Sequence, residues 1–424
     1  MKVVVVGGGW AGCSAAYFAK RAGAEVILIE RTDLLLGTGL VGGIVRNNGR
    51  FTAAEEVTAL GAGEFFSVID SVARHRNIDF PGHKHATLYD VERIESVVRR
   101  LLENTGVNIM YRTLIHDACV KDGTVSSVAD QQDKIIQGDV FIDATGTAGP
   151  MKNCIKHGTG CAMCVLRCPS FGPRVSLTAL AGVAEIKAGE GSHQFEAMSG
   201  SCKLDKMSLA KFLVKELEQK GAVIIPLPEK YRKKDSLSRK ACQQYNMEEY
   251  ATNLIVLDTG FAKLMTPFFP IESLREIDGF REARYADPYS GGQGNSVRFI
   301  AMAPCKDTLV VEGVKNLLCC GEKTGPLVGH TEAIITGALA GDNAVRVANG
   351  RKPRELPPEL AVGDIIGYMH RQMKTEEGLK HKYTFSGSVY FERMKALDLY
   401  TIDIQQIRRR VKKLGLEDFF IPVR

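Results

Sequence analysis

Short, wholly apolar runs along this chain are separated by longer stretches in which apolar residues return every three or four positions. The opening stretch, VVVVGGGWAGCSAAYFAKRAGAEVILIE (3–30), sets the pattern. Four valines predict a strand buried on both faces, the glycines a tight turn, the next stretch an amphipathic helix, and VILIE a second strand closing on Glu30. IIQGDVFIDATG (135–146) predicts a further strand that ends at Ala144, Thr145 and Gly146. NLLCCGEKTGPLVGHTEAIITGALAGDNAVR (316–346) predicts a strand, a glycine turn and a helix.

Other stretches carry the helical period. TAAEEVTALGAGEFFSVIDSVARHRN (52–77) and DVERIESVVRRLLENTG (90–106) each predict an amphipathic packing helix. From about residue 184 to 307 the glycine motifs disappear and strands alternate with helices such as MSLAKFLVKELEQKG (207–221). After the Pro-rich GRKPRELPPE (350–359) the pattern is mostly helical and includes the basic QQIRRRVKKLG (405–415). The basic face fits RNA or an acidic partner, or a solvated helix.

The expected fold class is α/β, a Rossmann-like FAD-binding fold of the glutathione-reductase type. Its parts are residues 1–183 and 308–350 as two halves of one FAD-binding domain, an inserted substrate domain at 184–307, and a helical C-terminal tail at 351–424. A length of 424 residues suits about two or three domains. Hydrophobic content of 45% and charged content of 25% exclude disorder and fibres. A net charge of +6 spread over this length gives only weak attraction to polyanions. The N-terminal apolar run is too short for a signal core and no apolar run is long enough for a membrane span, so a cytoplasmic protein is expected.

Chemistry enters with the glycines. Gly7, Gly9 and Gly12 form GxGxxG between a strand and a helix, with Trp10 and Ala11 at the helix start. The pattern gives a tight turn, close approach to a pyrophosphate and tight helix packing, and the helix offers its positive end to phosphate. Glu30 stands where ribose hydroxyls would be bound, with Arg31 beside it. The two distant segments favour FAD over NAD. Ala144, Thr145 and Gly146 lie at one, while at the other Gly321 and Glu322 would follow the ribityl chain. The helix beginning near Gly329, His330 and Thr331 would aim its N-terminus at the flavin ring, stabilising negative charge on it. His330 is the candidate catalytic residue, as a proton or hydrogen-bond donor, with capping and packing as its other reading.

In order, GGGWAG, GTGLVGGIVRNNG, FIDATG and GPLVGHTEAIITGALAG resemble the glucose-inhibited division protein A (GidA) family and its shorter relatives, the folate- and FAD-dependent tRNA uracil methyltransferases. The likeness covers roughly residues 1–150 and 308–350. It implies that Thr38, Gly39, Gly42 and Gly43 lie along the cofactor and that Ile115 meets the adenine through its backbone. It also exposes departures. The methyltransferases carry a cysteine before a Leu-Pro-Ile-Glu run where PFFPIE has Phe268, and a second in the segment that here reads GLVGGIVRNNG. At this length the family's long tRNA-binding tail is not expected.

Four of the chain's 11 cysteines crowd into CIKHGTGCAMCVLRCP (154–169). Cys154, Cys161, Cys164 and Cys168 form a CxxC and a CxxxCP, the latter similar to ferredoxin-type ligation, and are expected to hold a [4Fe-4S] cluster. Zinc, or thiols that are uncoordinated or redox-active, are the alternatives. The segment starts eight residues after Gly146, so an extended link spans roughly 28 Å at most. Of the other thiols, Cys13 reads as a packing residue, and Cys319 and Cys320, ending a strand beside Gly321, read as packing residues of which at least one could approach the flavin. Arg281, Arg284 and Arg298 group around glycines as an anion clamp or as solvated surface. The main expectation is an FAD-dependent oxidoreductase passing electrons between flavin and cluster, with a small molecule or a redox protein as partner. The alternatives are an RNA uridine-modifying flavoprotein and a non-catalytic electron-transfer subunit.

Overall fold

The computed structural model describes residues 1–147, 168–172, 174–188, 197–198, 201–232, 247–266, 269–286, 297–298 and 300–420. At its centre lies a five-stranded parallel sheet in the order Leu317–Cys319, Val140–Asp143, Lys2–Val6, Glu25–Ile29, Asn108–Met110. The four valines form the middle strand. Val3 and Val5 point into one core with the helices Trp10–Arg21 and His330–Ala348, while Val4 and Val6 point into another beneath the sheet. Covering on both faces is what a continuous apolar run requires. The lower layer is a three-stranded antiparallel sheet, Ile115–Lys121, Thr124–Asp130 and Ile135–Gln137, whose Ile115, Val125, Val128 and Ile136 fill the second core. Three layers, helix over parallel sheet over antiparallel sheet, give the α/β FAD-binding architecture expected from the sequence.

The two covering helices approach unusually closely. A Cβ on Gly337 would stand 2.3 Å from the Ala11 carbonyl oxygen, and one on Gly341 would stand 2.3 Å from that of Ala15. Ser14 Oγ donates to the Ile334 carbonyl across the same contact at 2.7 Å. Each helix thereby holds its N-terminus over the same end of the sheet.

The pattern at 52–77 misleads. Helix Gly49–Ala59 stops at Leu60, a second helix covers Glu64–Ser71, and Ala73–Phe80 is a strand paired antiparallel with His83–Tyr89. Gly61, at φ +85°, breaks the helix, and Pro81-Gly82 turns the hairpin. The second predicted helix forms over Ile94–Thr105 and ends on Gly106 in the left-handed conformation.

Between these halves a four-stranded antiparallel sheet runs in the order Cys202–Leu204, Phe261–Leu264, Asn253–Thr259, Ala222–Pro226. Helix Lys211–Lys220 packs on it, and Leu204, Leu213, Leu217, Val256 and Phe280 form its own core. Polar contacts hold it to the first lobe: buried Asp258 accepts from Arg74 Nε at 2.9 Å and lies 2.9 Å from His75 Nε2, and Lys206 Nζ of the inserted unit itself donates to the same carboxylate at 2.8 Å.

The C-terminal helices are no loose tail. Tyr383, Phe385 and Tyr390 are fully buried in the main core. The Glu56 carboxylate accepts the N–H groups of Ala361 and Val362, which open helix Ala361–Gln372, and pairs with Arg410 from the basic helix. Even the Pro-rich link is tied down, with Arg354 N–H donating to Asn343 and its guanidinium to Asp342. Among the described residues no helix is long and apolar enough to cross a membrane.

Candidate functional site

At the C-terminal ends of the parallel strands a cleft enclosing about 1400 Å³, open solvent included, gathers segments from all along the chain. Its wall includes Gly7, Gly9, Trp10 and Ala11 from the first turn, Glu30 and Arg31 from the second strand, and Thr38 and Gly42 from the following loop. Ile115, Ala144, Thr145, Gly146, Gly321, Glu322, Gly329 and His330 complete the residues that sequence reasoning placed there.

The glycines have different tasks. A Cβ on Gly9 would meet nothing within 4 Å, so this backbone faces open space. Gly9 precedes helix Trp10–Arg21, which has no side-chain cap and no acid in its first turn, leaving its N–H groups to an anion. By contrast Gly12 is needed for packing, since its Cβ would fall 1.8 Å from the Gly7 carbonyl oxygen, and Gly7's would fall 2.4 Å from that of Ala144. Gly12, Gly39, Gly43 and Thr331 are not on the cavity wall. A Cβ on Gly39 would strike the Trp10 indole at 2.4 Å and one on Gly43 would strike Thr259 at 2.6 Å. Thr331 is buried in the first helical turn, its hydroxyl lacking a partner among the described residues.

Glu30 is buried, its carboxylate accepting the N–H groups of Gly8 and Thr32, both at 2.8 Å. The remaining lone pairs can take ribose hydroxyls. Thr145 is fixed by Asp143, which accepts its N–H at 3.0 Å and its hydroxyl at 2.6 Å. Gly321 N–H donates to Thr336 Oγ1 at 2.9 Å, and Glu322 accepts from Thr147 Oγ1 at 3.1 Å. His330 begins helix His330–Ala348, with Nδ1 3.0 Å from the Tyr89 hydroxyl and its ring 5.7 Å from that of Trp10. Burial pushes the Tyr89 phenol up, so it stays protonated beside the imidazole.

Sequence reasoning missed Arg50 and Lys263. Arg50 is buried, its Nε 3.1 Å from both Glu332 oxygens and its Nη2 donating to the Val328 carbonyl. Lys263 reaches in from the inserted sheet, donating from Nζ to the carbonyls of Val41, at 2.7 Å, and Gly42. Burial, and then the neighbouring charge of Lys203 directly across the strand pair, bring its ammonium down to about 7. One signal was available: a lysine between Ala262 and Leu264, in a strand with no polar face to spare.

The remaining candidate residues scatter. Cys13 and Cys319 are fully buried, and Cys320 lines the cavity while burial and Asp143 hold its thiol well above the ordinary range. Arg284 pairs with Asp205 at the surface, Arg281 is exposed, and neither lines the cavity. Cys154, Cys161 and Cys164 lie outside the described residues, and of Cys168 only its place at the start of helix Cys168–Phe171 is described. Among the described residues no group of three or more His, Cys, Asp or Glu is arranged to hold a metal ion.

Comparison with known proteins points to an FAD-dependent family and its fold. A family model for FAD dependent oxidoreductases matches residues 2–151, and one for glucose inhibited division protein A matches residues 229–352. The methylenetetrahydrofolate–tRNA-(uracil-5-)-methyltransferase TrmFO of Desulfotalea psychrophila is 23% identical over 402 residues, covering 87% of this chain and 86% of that protein. Its counterpart from Gloeobacter violaceus is 42% identical over 69 residues, a stretch covering 16% of this chain and 15% of that protein. Among solved structures, Aquifex aeolicus GidA superimposes with a TM-score of 0.69 at 17% identity, over 99% of this chain and 73% of that one. That likeness establishes the shared fold. Iron-sulfur and zinc binding gain no support from any of these relatives.

Proposed function

Because the chain is a GidA-like FAD-dependent oxidoreductase, we propose that its cavity binds FAD and that the enzyme modifies the uracil ring of a uridine in RNA. The observation that carries the first half is the meeting, at one cavity, of the open Gly9 backbone, the Glu30 carboxylate and the His330 helix N-terminus. Pyrophosphate would lie on the turn Gly7–Ala11, ribose on Glu30, adenine near the Ile115 backbone, and the flavin ring toward Gly329 and His330. When bound, FAD supplies hydride acceptance and donation.

The chain's own residues supply position and charge. The helix N-terminus at His330 favours negative charge on whatever group it faces. His330, held by Tyr89, can donate or accept a proton at the cavity wall. Lys263 fixes the loop carbonyls at Val41 and Gly42, and so ties the inserted sheet to the cavity's edge.

The uracil substrate rests on the names of the curated relatives, which are tRNA uracil methyltransferases. The missing thiols alter the chemistry expected here. The loop 39–49 has no cysteine, and Cys320 is held protonated and buried, so attack on the base by a thiolate is disfavoured. A flavin-dependent redox change of the uracil fits better than thiol-assisted methyl transfer. Nucleosides from the RNA of a strain lacking the gene, resolved by mass spectrometry, are expected to lack one modified uridine, restored by the intact gene. An unchanged uridine profile would remove RNA and leave an FAD-dependent oxidoreductase of small molecules.

A further inference from the structure

Outside the flavin cavity, on the far side of the turn Gly321–Thr324, three side chains from separate segments form a relay. Asp307 Oδ1 lies 2.6 Å from His370 Nδ1, and His370 Nε2 lies 3.5 Å from the sulfur of Cys305. The same Nε2 stands 3.2 Å from the Thr324 carbonyl oxygen. An imidazole with a carboxylate at one nitrogen and a carbonyl at the other is best satisfied when both nitrogens carry protons. Geometry alone therefore puts a cation against a half-buried thiol. A base oriented by a third group and set beside a nucleophile is the arrangement that activates cysteine.

We propose that Cys305 is a reactive thiolate that undergoes exchange with low-mass, negatively charged disulfides. In this step the Cys305 sulfur attacks one sulfur of the disulfide and the old S–S bond breaks. A mixed disulfide forms on Cys305, and the departing thiolate takes a proton from solvent, so the incoming disulfide is the only oxidant. Exposed Lys306, Arg371 and Lys374 supply positive charge around the site, the last two facing Asp307, which suits an anionic partner. The charges that face the relay support the assignment. The neighbouring Cys319 thiol and then His370 bring Cys305 down to about 6, and His370 rises to about 10 because its bonds to Asp307 and Cys305 outweigh burial. Nothing in this relay takes part in the proposed flavin chemistry.

The test uses the full-length holoprotein, reduced and then freed of reductant, with iodoacetamide and separately oxidised glutathione as probes. Peptide mapping follows Cys305 against the exposed Cys119 in the same molecule. Cys305 should be alkylated at least about tenfold faster than Cys119 at pH 6.5, and should carry glutathione after exposure to the disulfide. His370→Gln should move the pH midpoint of Cys305 alkylation upward by a unit or more while flavin absorbance is retained. Alkylation of Cys305 no faster than that of Cys119 would overturn the proposal without any variant. So would a His370→Gln protein, folded by circular dichroism, with an unchanged Cys305 pH profile.

Discussion

Single residues at this site are set by burial as much as by partners. Among the described residues Lys263 donates to the backbone carbonyls of Val41 and Gly42 and faces a like charge across the strand pair, and its ammonium falls to about 7 from 10.5. Between those values the unfolded chain binds the proton more than the folded one, so stability should rise with pH across that window. The slope should approach about 1.4 kcal/mol per pH unit. Urea midpoints of wild type and Lys263→Met between pH 7 and 9 check this: the variant should lack that component of the rise. His83 shows the same sign at lower pH. Burial brings it down to about 3, so its contribution should be lost as pH falls from about 6.5 toward 3. At this scale the sequence revealed what spacing encodes, such as Gly9 and Glu30. It hid what depends on folding: Lys263 and Arg50 reach the cavity from a distant strand and from a helix with no motif of its own.

Helices here are placed by close contact and by one buried carboxylate. The glycine faces of His330–Ala348 let it lie against Trp10–Arg21, which brings both N-termini to the cavity. Gly337→Val should force the pair apart, costing about 1–3 kcal/mol, and should weaken FAD retention together with thermal stability. Glu56 does comparable work for the C-terminal helices. Its carboxyl is raised to about 7, chiefly by burial, against the amides of Ala361 and Val362 and the charge of Arg410. In this case the folded chain holds the proton more tightly, so stability should fall as pH rises from about 4.5 to 7. Glu56→Gln should flatten that component, whereas Glu56→Ala should cost about 3–5 kcal/mol by leaving Arg410 without its buried partner. Hydrophobic period located the helices at 94–105 and 211–220 well. It failed at 73–80, where VARHRNIDF has enough apolar residues to mimic a helix but sits after a glycine break and before Pro81-Gly82. Pairing with the strand His83–Tyr89 decides the conformation there, and no local pattern encodes that partner.

For the whole molecule, the split FAD-binding lobe was legible because its strands and turns each announce themselves in sequence order. The attachment of the inserted sheet was not. It depends on Asp258 meeting Arg74 and His75 of the first lobe, and on Lys203 and Lys263 reaching the carbonyls of residues 40–42. None of these side chains stands near its partner in the chain. The C-terminal helices likewise read as a tail, because their buried Tyr383, Phe385 and Tyr390 find their core only in the first lobe. The central claim is that FAD lies on the open Gly9 backbone, whose φ of −68° accepts any side chain, so valine there changes cavity space alone. FAD released from purified protein should be near stoichiometric for wild type and at least about tenfold lower for Gly9→Val of equal helical content. Wild-type protein that cannot be loaded with FAD, or a valine variant that holds it as well, would contradict the account.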